Sequence, residues 1–72
     1  MSYCLNPKCQ NPQNPDQARF CAYCGTRLRL GGRFRALRLI SIGGMGRTFL
    51  GVDEADDSNS KCIIKQLSLQ HQ

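Results

Sequence analysis

The chain has 72 residues, of which 40% are hydrophobic and none is tryptophan. A chain this short buries too little surface for a large apolar core, so it is expected to need a staple such as a metal ion or disulfides. It contains no apolar run that could span a bilayer, and its start lacks the basic and apolar stretches of a secretion signal. These features predict a cytoplasmic protein without a membrane segment.

The formal net charge of +5 is unevenly distributed along the sequence. Residues 1–40 carry seven basic and one acidic side chain, a net charge of +6, whereas residues 41–72 carry three basic and four acidic side chains, a net charge of −1. A basic half of this kind is compatible with binding to nucleic acid or to an acidic protein. It equally offsets the negative charge of a metal centre built from four thiolates.

The first 30 residues are rich in Asn, Gln, Pro and Cys, with Asn-Pro turn signals at positions 6, 11 and 14. Cysteines occur as C-x4-C and, after eleven residues, C-x2-C. Zinc takes four such ligands in a tetrahedron, and two closely spaced pairs on separate turns supply that geometry. Four cysteines leave no open position, which predicts a structural zinc site formed by Cys4, Cys9, Cys21 and Cys24.

Several details accompany this prediction. Gly25 is expected to adopt a positive φ that turns backbone N–H groups toward the thiolates. The few apolar residues of this segment are expected only to cover the metal. They are Tyr3, Leu5, Phe20, Tyr23 and Leu28.

Alternatives to zinc remain open from the cysteines alone. A Cys4 site also accepts iron, and Cys21 with Cys24 has the spacing of a redox dithiol, although no βαβ pattern surrounds it. A disulfide framework fits poorly, because five cysteines leave one unpaired. We expect the fifth, Cys62, to be a small buried hydrophobe and His71 to be a solvated residue near the end of the chain.

After Gly31-Gly32 the sequence changes to β-prone runs separated by turns. The runs span residues 34–42, 48–52 and 61–67, and the turns are a glycine cluster and the acidic segment 53–60. This order predicts a three-stranded antiparallel meander. The glycine cluster Gly43-Gly44-Met45-Gly46 allows backbone N–H groups to approach phosphate oxygens. Lys65, which closes the stretch Cys62-Ile63-Ile64-Lys65 in the third run, is able to reach bound phosphate.

These residues resemble the start of a protein kinase. Ser41 to Thr48 lies on the G-x-G-x-x-G-x-V pattern, and Cys62-Ile63-Ile64-Lys65 lies on V-A-I-K. With the cysteine segment in front, the order is similar to a group of bacterial serine/threonine kinases that carry a four-cysteine prefix. The departures are Ser41 for the first glycine, Thr48 for valine and Ile63 for alanine.

The resemblance implies an ATP site in which the loop covers the phosphates and the lysine contacts them. By position, the nucleotide-binding residues would be Ile42, Gly43, Gly44, Gly46, Thr48 and Lys65. It also implies that the catalytic-loop aspartate and the metal-binding D-F-G aspartate, which these 72 residues lack, belong to the remainder of a kinase domain.

The sequence therefore predicts a small zinc ribbon at residues 1–30, followed at residues 31–72 by the incomplete three-stranded β-meander of a kinase N-lobe. The predicted function is that of an N-terminal kinase fragment, not catalytically competent alone, with Zn²⁺ and weakly bound ATP as cofactors. The alternative is a free-standing zinc-ribbon module that binds nucleic acid or an acidic protein partner. In isolation, residues 33–72 are expected to be mobile or self-associated and residues 3–28 ordered with zinc.

Overall fold

The structure, a computed structural model, describes residues 1–67 of the chain. All regular elements among these residues are strands, arranged as one two-stranded and one four-stranded antiparallel sheet. The strands are β1 (Ser2–Tyr3), β2 (Gln13–Asn14), β3 (Arg29–Leu30), β4 (Phe34–Gly43), β5 (Gly46–Asp53) and β6 (Lys61–Leu67). In the described part of the chain there is no helix that could cross a membrane. His71 lies outside the described residues.

The larger sheet has the order β3-β4-β5-β6, so the three long strands form the meander that the sequence predicts. Strand β5 is central, and β4 joins it through a tight turn at Gly44-Met45 that leaves Gly43 paired with Gly46. The sheet contains one more strand than predicted, because Arg29 pairs with Arg35 and Leu30 pairs with Phe34. Gly31 and Gly32 both adopt positive φ and make this additional turn possible.

Two small clusters of buried side chains hold the molecule together. One consists of Cys4, Cys21 and Leu28 inside the cysteine prefix, which we define as residues 1–30. The other lies on one face of the larger sheet, where Phe49, Ala36 and Ile64 are buried beneath side chains of the prefix. The prefix therefore covers one face of the sheet, and the two parts of the chain share a core.

The prediction that the five apolar prefix residues only cover a metal is wrong for Tyr3 and Leu5. Leu28 packs beside Cys4 and Cys21 as expected. Tyr3 and Leu5 instead pack on the sheet, with the Tyr3 ring centroid 5.3 Å from that of Phe49. Phe20 and Tyr23 are more than half exposed. Tyr3 and Leu5 reach the sheet because side chains alternate along the first residues, so that Cys4 points toward the other cysteines and its two neighbours point toward the sheet.

Arg35 also joins the prefix to the sheet. Its side chain is only 5% exposed, and Nη1 donates hydrogen bonds to Oγ of Ser2 at 2.9 Å and to the carbonyl of Ala18 at 2.7 Å. Nε donates to Oε2 of Glu54 at 2.8 Å, which supplies the carboxylate that a buried guanidinium requires. These bonds explain why a charged residue is tolerated between the two parts.

Candidate metal centre and glycine-loop cavity

The four predicted cysteines converge at one point. The Sγ atoms of Cys4 and Cys24 are 3.5 Å apart, those of Cys9 and Cys21 are 3.7 Å apart, and all four lie within 4.8 Å of one another. A tetrahedral site with Zn–S bonds of about 2.3 Å has sulfur–sulfur edges of about 3.8 Å. The donor set and its spacing therefore fit a tetrahedral metal ion, whereas a disulfide needs sulfurs about 2 Å apart.

Tight turns bring the cysteines of each pair together. In the first pair, the Asn6 carbonyl accepts a hydrogen bond from the Cys9 N–H at 3.0 Å, and Asn6 Oδ1 accepts one from the Lys8 N–H. In the second pair, the Gly25 N–H donates to the Cys21 carbonyl at 2.8 Å, with Gly25 at φ 81°. The positive φ predicted for Gly25 is confirmed.

Two polar residues that the sequence analysis did not identify support these turns. Asn14 is buried, and its Oδ1 accepts a hydrogen bond from the Ala22 N–H at 2.9 Å while its Nδ2 donates to the Pro12 carbonyl. Oγ1 of Thr26 lies 3.1 Å from Sγ of Cys24. The Asn-Pro and Cys-Gly-Thr sequences could have predicted these contacts, since Asn and Thr side chains often bond to nearby backbone or thiolate groups.

The environments of the four thiols differ. Burial raises the pKa of the Cys4 thiol to about 12, and burial also raises the pKa of Cys9. The backbone N–H of Cys24 is the main group that lowers the pKa of Cys21 to about 6. The Thr26 hydroxyl lowers the pKa of Cys24. A metal ion that binds here must displace the protons held by Cys4 and Cys9.

The glycine hairpin borders an open cavity of about 330 Å³. All six residues predicted to bind nucleotide line this single cavity: Ile42, Gly43, Gly44, Gly46, Thr48 and Lys65. Met45, at the tip of the turn, is 79% exposed. The structure therefore brings together the residues that the kinase resemblance selects.

Strand register determines how these residues face one another. Thr48 pairs with Ser41 on one side and with Lys65 on the other, so the three side chains share the face that the prefix leaves uncovered. Ile42 is placed differently, because a register shift between Leu39 and Ser41 puts it opposite Arg47. Ile42 therefore lies at the rim of the cavity instead of beside Thr48.

Among the glycines of the loop, Gly46 is the one that has no room for a side chain. It has φ 139°, and a Cβ built there would lie 2.0 Å from the carbonyl oxygen of Gln66. By contrast, Gly43 and Gly44 have open space where a Cβ would be placed. Gly46 thus allows strand β6 to approach the hairpin and brings Lys65 beside the cavity.

A polar junction connects this region with the cysteine prefix. The Leu5 carbonyl accepts hydrogen bonds from Nη2 of Arg47 at 3.1 Å and from Nε2 of Gln66 at 2.5 Å. Arg47 also donates to Oε1 of Gln66 at 2.7 and 2.9 Å, and its guanidinium lies 5.0 Å from the Phe49 ring centroid. We refer to Leu5, Arg47 and Gln66 as the Leu5 junction. Nothing in the sequence pattern indicated it, because the acceptor is a backbone carbonyl.

The basic side chains of the first half are partly paired with the acidic turn after β5. Arg33 makes two hydrogen bonds to Asp53, at 2.7 and 2.9 Å, and lowers the pKa of that carboxyl group. Arg29 lies 3.5 Å from Glu54, which also pairs with Arg35. The acidic turn therefore neutralises part of the positive charge that the sequence concentrates in residues 1–40.

Comparison with known proteins gives three relatives, all of them cyanobacterial serine/threonine protein kinases. Serine/threonine-protein kinase B of Synechocystis sp. (strain ATCC 27184 / PCC 6803 / Kazusa) is 44% identical over 70 residues, which is 97% of this chain. Serine/threonine-protein kinase F of the same strain is 36% identical over 50 residues, or 69% of the chain. Serine/threonine-protein kinase PknA of Nostoc sp. (strain PCC 7120 / SAG 25.82 / UTEX 2576) is 40% identical over 42 residues, or 58% of the chain.

The matched segments are a small part of each relative. They cover 12% of the length of kinase B, 10% of kinase F and 7% of PknA. No protein-family model matches the chain. No solved structure matches it either.

Proposed function

The chain belongs to the bacterial serine/threonine protein kinases, the family that its glycine loop, lysine and cysteine spacing predict, and we propose that it is the N-terminal part of such a kinase. In this proposal Cys4, Cys9, Cys21 and Cys24 hold a structural zinc ion, and the sheet is the start of the kinase N-lobe. The activity of the whole protein would be ATP-dependent phosphoryl transfer to protein hydroxyl groups. The thiol ligands fit the reducing cytosol.

The role of the metal follows from its ligands. Four thiolates fill a tetrahedral coordination sphere, so no position remains for a substrate or a reactive water. Cys4 and Cys21, together with Leu28, form a small cluster of buried apolar side chains within the described prefix. The metal would therefore replace the apolar core that so short a segment lacks, and folding of the prefix would depend on it.

The nucleotide site is proposed from the cavity beside the hairpin. Backbone N–H groups of Gly43, Gly44 and Gly46 would donate hydrogen bonds to phosphate oxygens, as glycine-rich loops do. The Lys65 ammonium would contact the same phosphates. Ile42 and Thr48 would border the base, where Ile63, 59% exposed on the same strand as Lys65, adds apolar surface.

The observation that carries the proposal is the convergence of all six predicted residues on one cavity. The remaining catalytic groups of a kinase, an aspartate base and the carboxylates that bind Mg²⁺, would come from the rest of the protein. This chain would supply part of the phosphate clamp, and its affinity for ATP alone is expected to be in the millimolar range, because only a few contacts are available.

Titration of the zinc-loaded chain with ATP, followed by amide chemical shifts, tests this proposal. We expect the largest shifts at residues 43–46 and 65. Replacing Lys65 with methionine should weaken binding about fivefold, the effect of losing one solvent-exposed contact that contributes about 1 kcal/mol. Lys61→Met is the matched control: Lys61 is on the same face of β6, about 13 Å away, and its loss should change the affinity less than about twofold.

Two results would contradict the proposal. One is the absence of shifts at residues 43–46 when ATP reaches about ten times the expected millimolar dissociation constant. The other is an equal effect of Lys65→Met and Lys61→Met, because that would indicate attraction to general positive charge.

A second candidate function, binding of nucleic acid or an acidic protein by the prefix, is favoured by one surface. Phe20 and Tyr23 are 54% and 58% exposed, and the Arg27 guanidinium lies 5.9 Å from the Phe20 ring centroid. Exposed aromatic and arginine side chains together are typical of surfaces that bind single-stranded nucleic acid. Binding of a single-stranded oligonucleotide that weakens steeply with salt and is lost in Phe20→Ala would support this function. No binding at low salt would exclude it.

A further inference from the structure

The sheet face that carries Lys65 and the face that carries the prefix are connected at the Leu5 junction. Leu5 directly follows Cys4, the most deeply buried of the four metal-site cysteines. Arg47 directly follows Gly46, and Gln66 directly follows Lys65. One backbone carbonyl of the prefix therefore accepts hydrogen bonds from the two residues adjacent to the glycine hairpin and the lysine.

The contacts at the junction are directional. Because Nη2 of Arg47 and Nε2 of Gln66 both donate to the Leu5 carbonyl, the position of that carbonyl constrains two neighbouring strands. Arg47 and Gln66 are cross-strand partners and their side chains are also hydrogen-bonded to each other, so a shift of one would displace the other. Their immediate neighbours Gly46 and Lys65 face the opposite side of the sheet, because successive residues of a strand alternate.

The Leu5 carbonyl lies one residue beyond Cys4, whose N–H donates to the Pro12 carbonyl at 2.8 Å and whose thiol belongs to the cysteine cluster. Tyr3 is the last residue of the two-residue strand β1, and from Cys4 onward the path of the chain is determined by the turn that returns it to Cys9. Without a metal, the Cys4 thiol contacts the Sγ atom of Cys24, the backbone of Asn6 and apolar atoms of its cluster. A metal bound to Cys4 would anchor the chain one residue away from the Leu5 carbonyl.

We propose that the metal-bound prefix acts as a positioning element for the phosphate site: through the Leu5 carbonyl it holds Arg47 and Gln66, and with them Gly46 and Lys65. Arg47 and Gln66 border the cavity, but their side chains donate to the Leu5 carbonyl, so we assign them a positioning role. The inference rests on the proposed metal and phosphate sites, but the coupling between prefix and strands is measurable without nucleotide. By reciprocity, ATP should tighten zinc binding by the same factor by which zinc tightens ATP binding, and breaking the junction should reduce both effects.

Hydrogen exchange of the 72-residue chain, with and without one equivalent of zinc, tests the coupling. Zinc should slow exchange at the junction end of β5 and β6, residues 47–49 and 64–66, by at least about tenfold, as expected for hydrogen bonds to a charged donor. In Arg47→Ala the zinc-dependent slowing of exchange at these residues should fall below about threefold, while the slowing at residues 51–53, near Arg35, is retained. We call this slowing the protection gain. Arg38→Ala, which removes an exposed arginine of β4, is the matched control and should leave both gains unchanged.

Gln66→Glu provides a milder variant in case Arg47→Ala fails to fold. Glutamate retains an acceptor for Arg47 but has no N–H to donate to the Leu5 carbonyl, so the zinc-dependent gain should be reduced to an intermediate value. Equal zinc-dependent protection in the original chain, Arg47→Ala and Gln66→Glu would overturn the proposal.

ATP titrations separate this inference from the proposed function. If zinc protects the junction but ATP does not bind, the phosphate site is wrong and the coupling stands. If ATP binds with the same affinity with and without zinc, and equally in Arg47→Ala, the phosphate site stands and the positioning role is wrong. We expect zinc to tighten ATP binding about fivefold in the original chain and by less than about twofold in Arg47→Ala.

Discussion

Replacing Gly46 with alanine is expected to separate the glycine hairpin from strand β6. The added Cβ would lie 2.0 Å from the Gln66 carbonyl oxygen and about 3.0 Å from its carbonyl carbon and from Cα of Leu67. All three atoms belong to the backbone of β6, so no side-chain rotation relieves the contact. Either β6 moves away or Gly46 changes its φ of 139°, and both disrupt the pairing of Gly46 with Leu67.

The size of the effect follows from these two costs. A non-glycine residue held at this φ costs about 1–3 kcal/mol, and each lost hydrogen bond costs about 1 kcal/mol. Together they give about 3 kcal/mol, against a total stability of about 4–11 kcal/mol for a chain of this length. At about 4–8 °C for each kcal/mol, the midpoint of thermal unfolding should fall by about 12–24 °C.

Gly44→Ala is the matched control in the same turn. Gly44 has no atom within 4 Å of an added Cβ and no positive φ, so its replacement should change stability by less than about 0.5 kcal/mol. Thermal unfolding of both zinc-loaded variants, followed by circular dichroism, measures the difference. Equal midpoints for Gly46→Ala and Gly44→Ala would refute the close approach of β6 to the hairpin.

Two further predictions concern the interface and the metal site. Arg35→Met should lower the free energy of unfolding in urea by about 3 kcal/mol, because Glu54 loses one of its two arginine partners and the Ser2 hydroxyl and Ala18 carbonyl lose their donor. Arg38→Met on the exposed side should have almost no effect, and similar values for both variants would contradict the interface. Zinc affinity, measured by competition with a chelator, should rise at least about a hundredfold per pH unit near pH 7, because burial raises the pKa of the Cys4 and Cys9 thiols and each must lose its proton when the metal binds. A pH-independent affinity would contradict these thiol environments.

Much of the fold was predictable because its signals are local. Cysteine spacing indicated that the four cysteines converge, the positive φ of Gly25 followed from the Cys-x-x-Cys-Gly order, and the strands after Gly31-Gly32 followed from β-prone runs between turns. The kinase resemblance selected six residues that line one cavity. In each case the pattern lies within a few consecutive residues, where spacing and turn chemistry determine the geometry.

The contacts between the prefix and the sheet were not predictable in the same way. Tyr3 and Leu5 pack against a strand more than forty residues away, and the Leu5 junction uses a backbone carbonyl that leaves no mark on the sequence. The β-bulge that turns Ile42 away from Thr48 is likewise a property of strand register. A pattern of residue types describes which side of an element is apolar, but it does not identify the surface that covers it.

X-ray absorption at the zinc edge, on chain purified with its native metal and analysed for metal content, tests the central claim most directly. We expect one zinc per chain, with four sulfur neighbours at about 2.3 Å and no nitrogen or oxygen ligand. A chain purified without metal, one that holds iron, or zinc with fewer than four sulfur ligands would contradict the proposed centre formed by Cys4, Cys9, Cys21 and Cys24.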